Sequence, residues 1–156
     1  MPRYGRVPKR KIKADAVYNS VLLTKFVNKL MYDGKKTKAE NLLYRALEDV
    51  ADKLKGNPLE IFEKALLNVA PLMEVKSRRV GGATYQVPIE VTRDRGQALA
   101  IQWLRDGARG RPGKGMAQKL SLEIMDAFKG VGSAIKKKED VHKTAEANRA
   151  FAHFRW

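Results

Sequence analysis

The side chains in this sequence whose types and spacing suggest chemistry are cations grouped around a pair of glycines. Lys76, Arg78 and Arg79 precede Gly81-Gly82, and Tyr85 follows them. Arginine can donate a forked pair of hydrogen bonds to a phosphate, and a tyrosine ring can stack on an unpaired base. The pattern is therefore typical of contacts to a nucleic acid.

A second cationic group lies in the glycine-rich segment 107–115. This segment suggests a phosphate-binding P-loop, but Gly115 and Met116 follow its lysine where a P-loop needs serine or threonine. What remains is a flexible loop that leads to a helix N-terminus, whose free N–H groups attract anions. We expect phosphate contacts there, with a plain mobile linker as the alternative. The cations of this segment are Arg109, Arg111 and Lys114.

The sequence contains few residues that could serve as a catalytic site. His142 and His153 are its only histidines, and neither has the serine or cysteine constellation that nucleophilic catalysis would need. No acidic cluster has metal-ligand spacing, and the chain contains no cysteine. We therefore expect no catalysis, cofactor, metal site or small-molecule substrate.

The overall composition also favours a polyanionic partner. The 156 residues include 32 lysines and arginines against 17 acids, a formal net charge of +15. A compact body with that excess repels itself, and phosphates neutralise it. The alternative is a merely soluble basic protein. A hydrophobic content of 44% is enough for one packed domain, residues 1–156.

The sequence predicts a soluble protein of the cytoplasm. No apolar run approaches the ~18 residues of a membrane span, and the N-terminus lacks the apolar core of a signal peptide. The absence of cysteine also fits a reducing compartment.

Apolar residues recur at helical spacing in six segments. The helices predicted there must position the cations of the ribbon and of the segment 107–115. Three segments precede the glycine pair and three follow it, so the predicted fold is mainly α, a single-domain bundle of about six helices. The first helix is predicted at residues 17–31, the second between an N-cap at Thr37 and an end at Gly56, and the third between an N-cap at Asn57, followed by Pro58, and an end at Pro71. The fourth is predicted from an N-cap at Thr92 to Ala108, the fifth from Met116 to Phe128, and the sixth from an N-cap at Ser133 to about Asn148.

Between the third and fourth helices, residues 72–91 change to a period near two, which predicts a two-stranded β-ribbon. Gly81-Gly82 supplies the positive φ angles of a tight hairpin turn. Little apolar material lies near the tip, so the ribbon should protrude; the alternative is a hairpin packed on the bundle with solvated charges. Pro88 should limit pairing near the base, and the register stays open.

Both ends of the chain are basic. Residues 1–14 form an arm without helical periodicity, which we expect to order on a partner; a solubilising tail is the alternative. Residues 149–156 form an aromatic and basic tail whose rings should pack or stack. Lys136, Lys137 and Lys138 lie in the sixth helix and form either a solvated face or a binding surface. The terminal cations are Arg3, Arg6, Lys9, Arg10, Lys11, Arg149 and Arg155.

Two kinds of nucleic acid fit these residues. Folded RNA would be bound by stacking on unpaired bases and by backbone contacts from several separate elements. An architectural DNA-binding protein would insert its ribbon arm into a minor groove, usually with an apolar wedge at the tip. Here the tip is Val80-Gly81-Gly82-Ala83, a poor wedge, so RNA is favoured.

Three long motifs resemble one known family. Glu74-Val-Lys-Ser-Arg-Arg-Val-Gly-Gly-Ala-Thr-Tyr-Gln-Val-Pro88 is similar to the hairpin of the bacterial small-subunit ribosomal protein seven family. Lys136-Lys-Lys-Glu-Asp140 with Ala145-Glu-Ala-Asn-Arg-Ala-Phe-Ala-His-Phe-Arg-Trp156 resembles its C-terminus, and Met31-Tyr-Asp-Gly-Lys-Lys36 its first interhelical loop. The resemblance extends in order from about Pro2 to Trp156. The glycine-rich segment 107–115 and the glycine in Arg93-Asp-Arg-Gly96 depart from it.

The resemblance implies a six-helix bundle with a protruding ribbon. It implies a primary binder of the 3′ major domain of 16S ribosomal RNA that nucleates assembly of the 30S head. It also implies a position at the subunit interface near the exit-site transfer RNA and the messenger RNA exit path. Small-subunit proteins nine and eleven are the implied neighbours.

Carried onto this sequence, the resemblance implies ribosomal RNA contacts from Lys35, Lys36, Lys76, Arg78 and Arg79. The arm cations and the lysine triplet are added to that set. The ribbon tip, Val80, Gly81, Gly82 and Ala83, with Tyr85 behind it, would lie nearest the exit-site transfer RNA.

Overall fold

The computed structural model describes Gly5, residues 11–113 and residues 115–154. Within these residues the chain is mainly helical, with one antiparallel ribbon between the third and fourth helices, as predicted. The elements are α1 (Val21–Leu30), α2 (Lys36–Leu54), α3 (Pro58–Val69), β1 (Met73–Val80), β2 (Ala83–Glu90), α4 (Arg93–Gly110), α5 (Met116–Phe128), α6 (Ser133–Ala147) and a C-terminal 3₁₀-helix (Arg149–Phe154).

Helix α5 is the centre of the bundle, packed against α2, α3 and α4. Its Leu120 and Ile124 are fully buried, as is Leu104 of α4. Phe26 of α1 meets Phe62 of α3 edge to face, with 5.4 Å between ring centroids. Each such side chain stabilises the fold by roughly 1.5–3 kcal/mol through burial. The apolar stripes read from the sequence therefore form one continuous core.

Helix α1 begins at Val21, four residues later than predicted. Buried Asp15 accepts hydrogen bonds from the backbone N–H groups of Val17 and Tyr18, both at 3.1 Å. Asn19 then takes a left-handed φ of 49°. The carboxylate thus holds a separate turn ahead of the helix.

The predicted ends of α2 are both wrong by one or two residues. Lys35, not Thr37, occupies the N-cap position, since the Lys35 carbonyl accepts the first bond of the helix, from Ala39 N–H at 3.3 Å. At the other end Lys55, not Gly56, takes the left-handed conformation, with φ 49°. The predicted cap of α3 is confirmed: the side chain of Asn57 accepts from Leu59 N–H at 3.1 Å.

The predicted loop 107–115 is shorter than expected, since α4 continues to Gly110. A helical glycine is disfavoured by about 1 kcal/mol relative to alanine. Gly107 is tolerated because its missing side chain leaves room for Glu123 and Ser133. Ser133 was predicted to cap α6 but is its first helical residue, and Gly132, with φ 103°, precedes it.

The ribbon has a two-residue turn, with Val80 paired to Ala83. Gly81 and Gly82 have φ values of 55° and 90°, the two positive angles of a type I′ turn. Pairing continues past Pro88 to Met73 and Glu90, so the expectation that proline limits it is wrong. Counted from the turn, Pro88 falls at a non-hydrogen-bonded pair, where no ladder bond needs its missing N–H.

Candidate nucleic-acid interface

The register sorts the ribbon cations onto two faces. Lys76 pairs with Val87 and Arg78 with Tyr85, so these side chains share one face, while Arg79 lies on the other. All three cations are exposed. Lys76 Nζ lies 3.5 Å from the Glu74 carboxylate, an ion pair that water screens. The ribbon therefore presents cations in two directions.

The base of the ribbon is held by the helices. Val75 lines a cavity of about 270 Å³ with Trp103 of α4 and Val141 of α6. Leu72 N–H donates to His142 Nε2 at 3.1 Å, just before β1 begins. Burial, and then the nearby Lys138 ammonium, lower the pKa of His142, which favours the neutral ring that this bond requires. The tip beyond this anchor is exposed, so the ribbon protrudes as predicted.

Tyr85 is not freely presented, contrary to what the sequence suggested. Its ring lies 5.1 Å from the rings of both Phe151 and Phe154 in the C-terminal 3₁₀-helix. Such aromatic pairs contribute about 0.5–1.5 kcal/mol beyond area burial. The aromatic tail therefore packs on the ribbon and leaves Tyr85 half-buried.

A second cationic region surrounds the α1–α2 turn, where Lys35 and Lys36 are exposed. They form surface ion pairs with Asp33 at 3.5 Å and Glu40 at 3.4 Å. The structure brings Arg109 of α4 to this turn, where its guanidinium donates to Leu30 O at 3.2 Å. Cations from the turn, from α2 and from α4 thus form one basic region.

Arg111 lies differently from its neighbours. Its guanidinium donates through Nε to Glu123, which is fully buried, and through Nη2 to Asp126. Burial alone would lower the pKa of Arg111, but these two hydrogen bonds outweigh it and raise that pKa. The cation is already paired twice within the protein.

The lysine triplet of α6 does not form one patch. Lys136 and Lys137 are exposed, but Lys138 is half-buried and donates to Asn68 O at 2.7 Å, near the end of α3. Lys137 lines the cavity at the ribbon base instead. The three side chains follow the helical turn onto different sides.

The remaining predicted cations lie at the chain ends, apart from Lys114 in the segment 107–115. Lys11 and Arg149 are exposed. The others lie outside the described residues: Arg3, Arg6, Lys9, Arg10, Lys114 and Arg155.

The sequence reasoning missed an acidic surface. Residues 48–63, from α2 into α3, contain five acids against two bases. Glu48, Asp52, Glu60 and Glu63 are exposed there. A simple count of charge along the chain would have found it. These exposed carboxylates are unsuited to phosphate, and we expect them to face away from a polyanion.

The sequence also did not predict a hydrogen bond that fixes the segment following the basic arm. The Tyr44 hydroxyl donates to Asp15 Oδ1 at 2.6 Å, which ties the segment before α1 to α2. Burial, then the bond to Asp15, raise the pKa of Tyr44. The two residues are 29 positions apart, so no local sequence pattern predicts the contact.

Among the described residues, no three histidine, aspartate or glutamate side chains are grouped so as to hold a metal ion. None of the described helices combines the length and apolar character needed to cross a membrane.

A helical body that carries exposed cations on a protruding ribbon and an interhelical turn is the architecture of a basic nucleic-acid-binding protein. The sequence matches the family described as ribosomal protein S7p/S5e over residues 2–149. It is 60% identical over 156 residues to the small ribosomal subunit protein uS7 of Maridesulfovibrio salexigens and 58% to that of Pelotomaculum thermopropionicum, with both chains covered in full. The protein belongs to the ribosomal protein S7p/S5e family.

Proposed function

We propose that this chain is a structural component of the small ribosomal subunit, located in cytoplasmic ribosomes and without catalytic activity. It is a primary binder of the 3′ major domain of 16S ribosomal RNA and nucleates assembly of the 30S head. It lies at the subunit interface near the exit-site transfer RNA and the messenger RNA exit path, beside proteins nine and eleven. Family membership over nearly the whole chain supports the ribosomal role.

The observation that carries the proposal is the fixed separation of exposed cations on rigid elements. The ribbon is anchored at its base by α4 and α6, and the α1–α2 turn is tied to α4 through Arg109. Cations fixed on separate elements can bridge RNA helices that meet at a junction, which suits recognition of RNA by shape. The proposed contacts in the described residues are Lys11, Lys35, Lys36, Lys76, Arg78, Arg79, Arg109, Lys136, Lys137, Lys138 and Arg149.

Two of the cations expected from the sequence already have partners within the protein. Arg111 is engaged by two carboxylates, and Lys138 donates to the backbone of α3. The two carboxylates on Arg111 oppose an approaching phosphate, which makes Arg111 a poor RNA ligand. Lys138 uses one of its three N–H donors for the backbone bond and stays a proposed contact. Lys114 stays a proposed contact on sequence grounds alone, together with the cations of the arm and Arg155.

The ribbon tip, Val80 to Ala83, is proposed to lie nearest the exit-site transfer RNA. Its glycines are exposed and an added Cβ on either would meet nothing within 4 Å. This leaves room for a close approach of RNA backbone. Tyr85 lies behind the tip under the aromatic tail, so its proposed part is to support the tip's position.

Directed hydroxyl-radical probing tests the orientation. The chain has no cysteine, so an iron chelate can be attached to one introduced thiol at a time. Ala83→Cys places the probe on the ribbon tip, and Asp52→Cys, the matched control, places it on the acidic surface. In reconstituted 30S particles we expect strong cleavage of the 3′ major domain from the first and little from the second. Equal cleavage from both positions, or cleavage confined to another domain, would contradict the proposal.

Omission from reconstitution tests the assembly role. Without this chain, the other head proteins should fail to bind 16S RNA, and adding it back should restore them. A complete head formed in its absence would show that the protein is a passenger and not a nucleator.

A further inference from the structure

Glu123 accepts hydrogen bonds from two separate parts of the chain. Its side chain is fully buried on α5. Its Oε1 accepts from Ser133 Oγ at 2.8 Å and from Ala134 N–H at 2.9 Å, both at the start of α6. Its Oε2 accepts from Arg111, the first residue after α4. A buried carboxylate is stable only when hydrogen-bonded in this way.

Two glycines enclose this carboxylate. A Cβ on Gly107 would lie 2.5 Å from Ser133 Oγ and 2.7 Å from Glu123 Oε1. A Cβ on Gly132 would lie 3.1 Å from Asp126 Cβ, and its φ of 103° also favours glycine. The end of α4 and the start of α6 therefore approach Glu123 as closely as backbone allows.

Arg111 closes the cluster from the side of the α4–α5 connection. Its planar guanidinium forks, with one nitrogen on Glu123 and another on Asp126. Two carboxylates against one guanidinium leave the cluster with a formal charge of −1. A phosphate approaching Arg111 would meet that negative charge, so direct contact is disfavoured.

We propose that Arg111 is a positioning residue for RNA binding. Through its fork onto Glu123 and Asp126, it holds the end of α4, the beginning of the α4–α5 connection and the N-terminus of α6 in the arrangement that the RNA requires. Arg109, two residues earlier, owes its place beside the α1–α2 turn to that arrangement. The inference rests on the proposed function, since it concerns how the same protein binds the same RNA.

Two substitutions separate positioning from direct contact, because the two roles predict opposite results. Arg111→Lys keeps the positive charge, so a phosphate ligand would retain most of its affinity; a lysine cannot fork onto both carboxylates, so a positioning residue would not. Asp126→Asn removes a negative charge and frees the guanidinium, which should tighten binding if Arg111 contacts RNA. If Arg111 positions the connection, the same change should weaken binding.

The experiment measures the affinity of each variant for 16S 3′ major domain RNA at fixed salt. We expect Arg111→Lys and Asp126→Asn each to bind several-fold more weakly than the wild type. The matched controls are Arg45→Lys and Asp52→Asn on α2, which should leave affinity unchanged or slightly tighter. Wild-type affinity in Arg111→Lys, or tighter binding by Asp126→Asn than by Asp52→Asn, would overturn the proposal.

A readout without RNA keeps the two proposals separable. In the free protein, both variants should speed hydrogen exchange at the amides of Ala134 and of residue 111, while core amides of α2 stay protected. Unchanged exchange there would overturn the positioning role even if binding changed. If the wild type shows no preference for the ribosomal RNA, the proposed function fails. Faster exchange in the two variants would still show that the hydrogen bonds of Arg111 to Glu123 and Asp126 hold this part of the fold. Asp126 is only partly buried, so its asparagine variant should fold.

Discussion

The guanidinium of Arg109 lies over the ring of Tyr32, with 4.3 Å between its central carbon and the ring centroid. The same guanidinium donates to Leu30 O at the end of α1. One side chain of α4 therefore fixes the turn that carries Lys35 and Lys36. The contact joins basic residues that are more than seventy positions apart in the chain.

Replacing Tyr32 tests whether this stacking matters to RNA binding. Tyr32→Ala removes the ring, so Arg109 and the turn should lose their fixed relation and affinity for 16S 3′ major domain RNA should fall several-fold. Stability should fall by only about 0.5–1 kcal/mol, as for an exposed cation–π contact. Tyr32→Phe keeps the ring and is the control, expected to bind like the wild type. If alanine and phenylalanine variants bind alike, the ring has no part in binding.

Removing ribbon cations should weaken RNA binding without unfolding the helices. For Lys76→Ala with Arg79→Ala, we expect the slope of log affinity against log salt to become shallower by roughly 0.7–0.9 per lost phosphate contact. Arg45→Ala with Lys53→Ala removes the same charge from α2 near the acidic surface and should change the slope little. Circular dichroism checks the helices. Equal effects from the two pairs would mean that only net charge matters.

Two glycines of α4 should respond in opposite directions to alanine. Gly107→Ala drives a Cβ against Glu123 and Ser133, so we expect a loss of roughly 1–3 kcal/mol in the free energy of unfolding. Gly110→Ala meets nothing within 4 Å and should be neutral or stabilising by up to about 1 kcal/mol. Urea unfolding measures both. An unchanged free energy of unfolding for Gly107→Ala would show that α4, α5 and α6 leave room for a side chain at this position.

The Tyr44–Asp15 hydrogen bond should make the protein sensitive to alkali. The pKa of Tyr44 is raised in the folded state, so the unfolded chain loses its proton first as pH rises above about 10. This contribution to stability is therefore complete below that pH and declines above it. Tyr44→Phe should unfold more easily at neutral pH, by about 1 kcal/mol, but lose less with rising pH. Urea midpoints between neutral pH and pH 11 measure both, and parallel pH curves would contradict the assignment.

His142 should contribute an acid sensitivity. Its pKa is lowered in the folded state, so below about pH 6.5 the unfolded chain takes up a proton that the folded chain resists. Stability should fall as pH falls through that range, while above it both states hold a neutral ring. His142→Gln, whose side-chain oxygen can still accept from Leu72 N–H, should flatten the difference between pH 8 and pH 5. An unchanged pH dependence would exclude His142 as its source.

Local patterns in the sequence predicted the helices, the ribbon and its turn, because apolar periodicity and a glycine pair depend on neighbouring residues only. The roles of individual side chains depended on distant ones. Glu123 and Asp126 reach Arg111 from another helix, 12 and 15 positions away. Phe151 covers Tyr85 from the far end of the chain. The elements that carry the site were thus predictable, but not which cations the fold itself would occupy.

Competition binding across a salt series shows whether the protein recognises folded 16S RNA specifically. The competitors are the 3′ major domain RNA, a scrambled structured RNA of equal length and duplex DNA. With roughly 6–10 phosphate contacts, every affinity should fall by about a thousandfold or more as salt rises from about 50 to 200 mM. The preference for the 3′ major domain should persist throughout. Equal affinity for all three, lost together as salt rises, would contradict the account and return the architectural DNA-binding alternative.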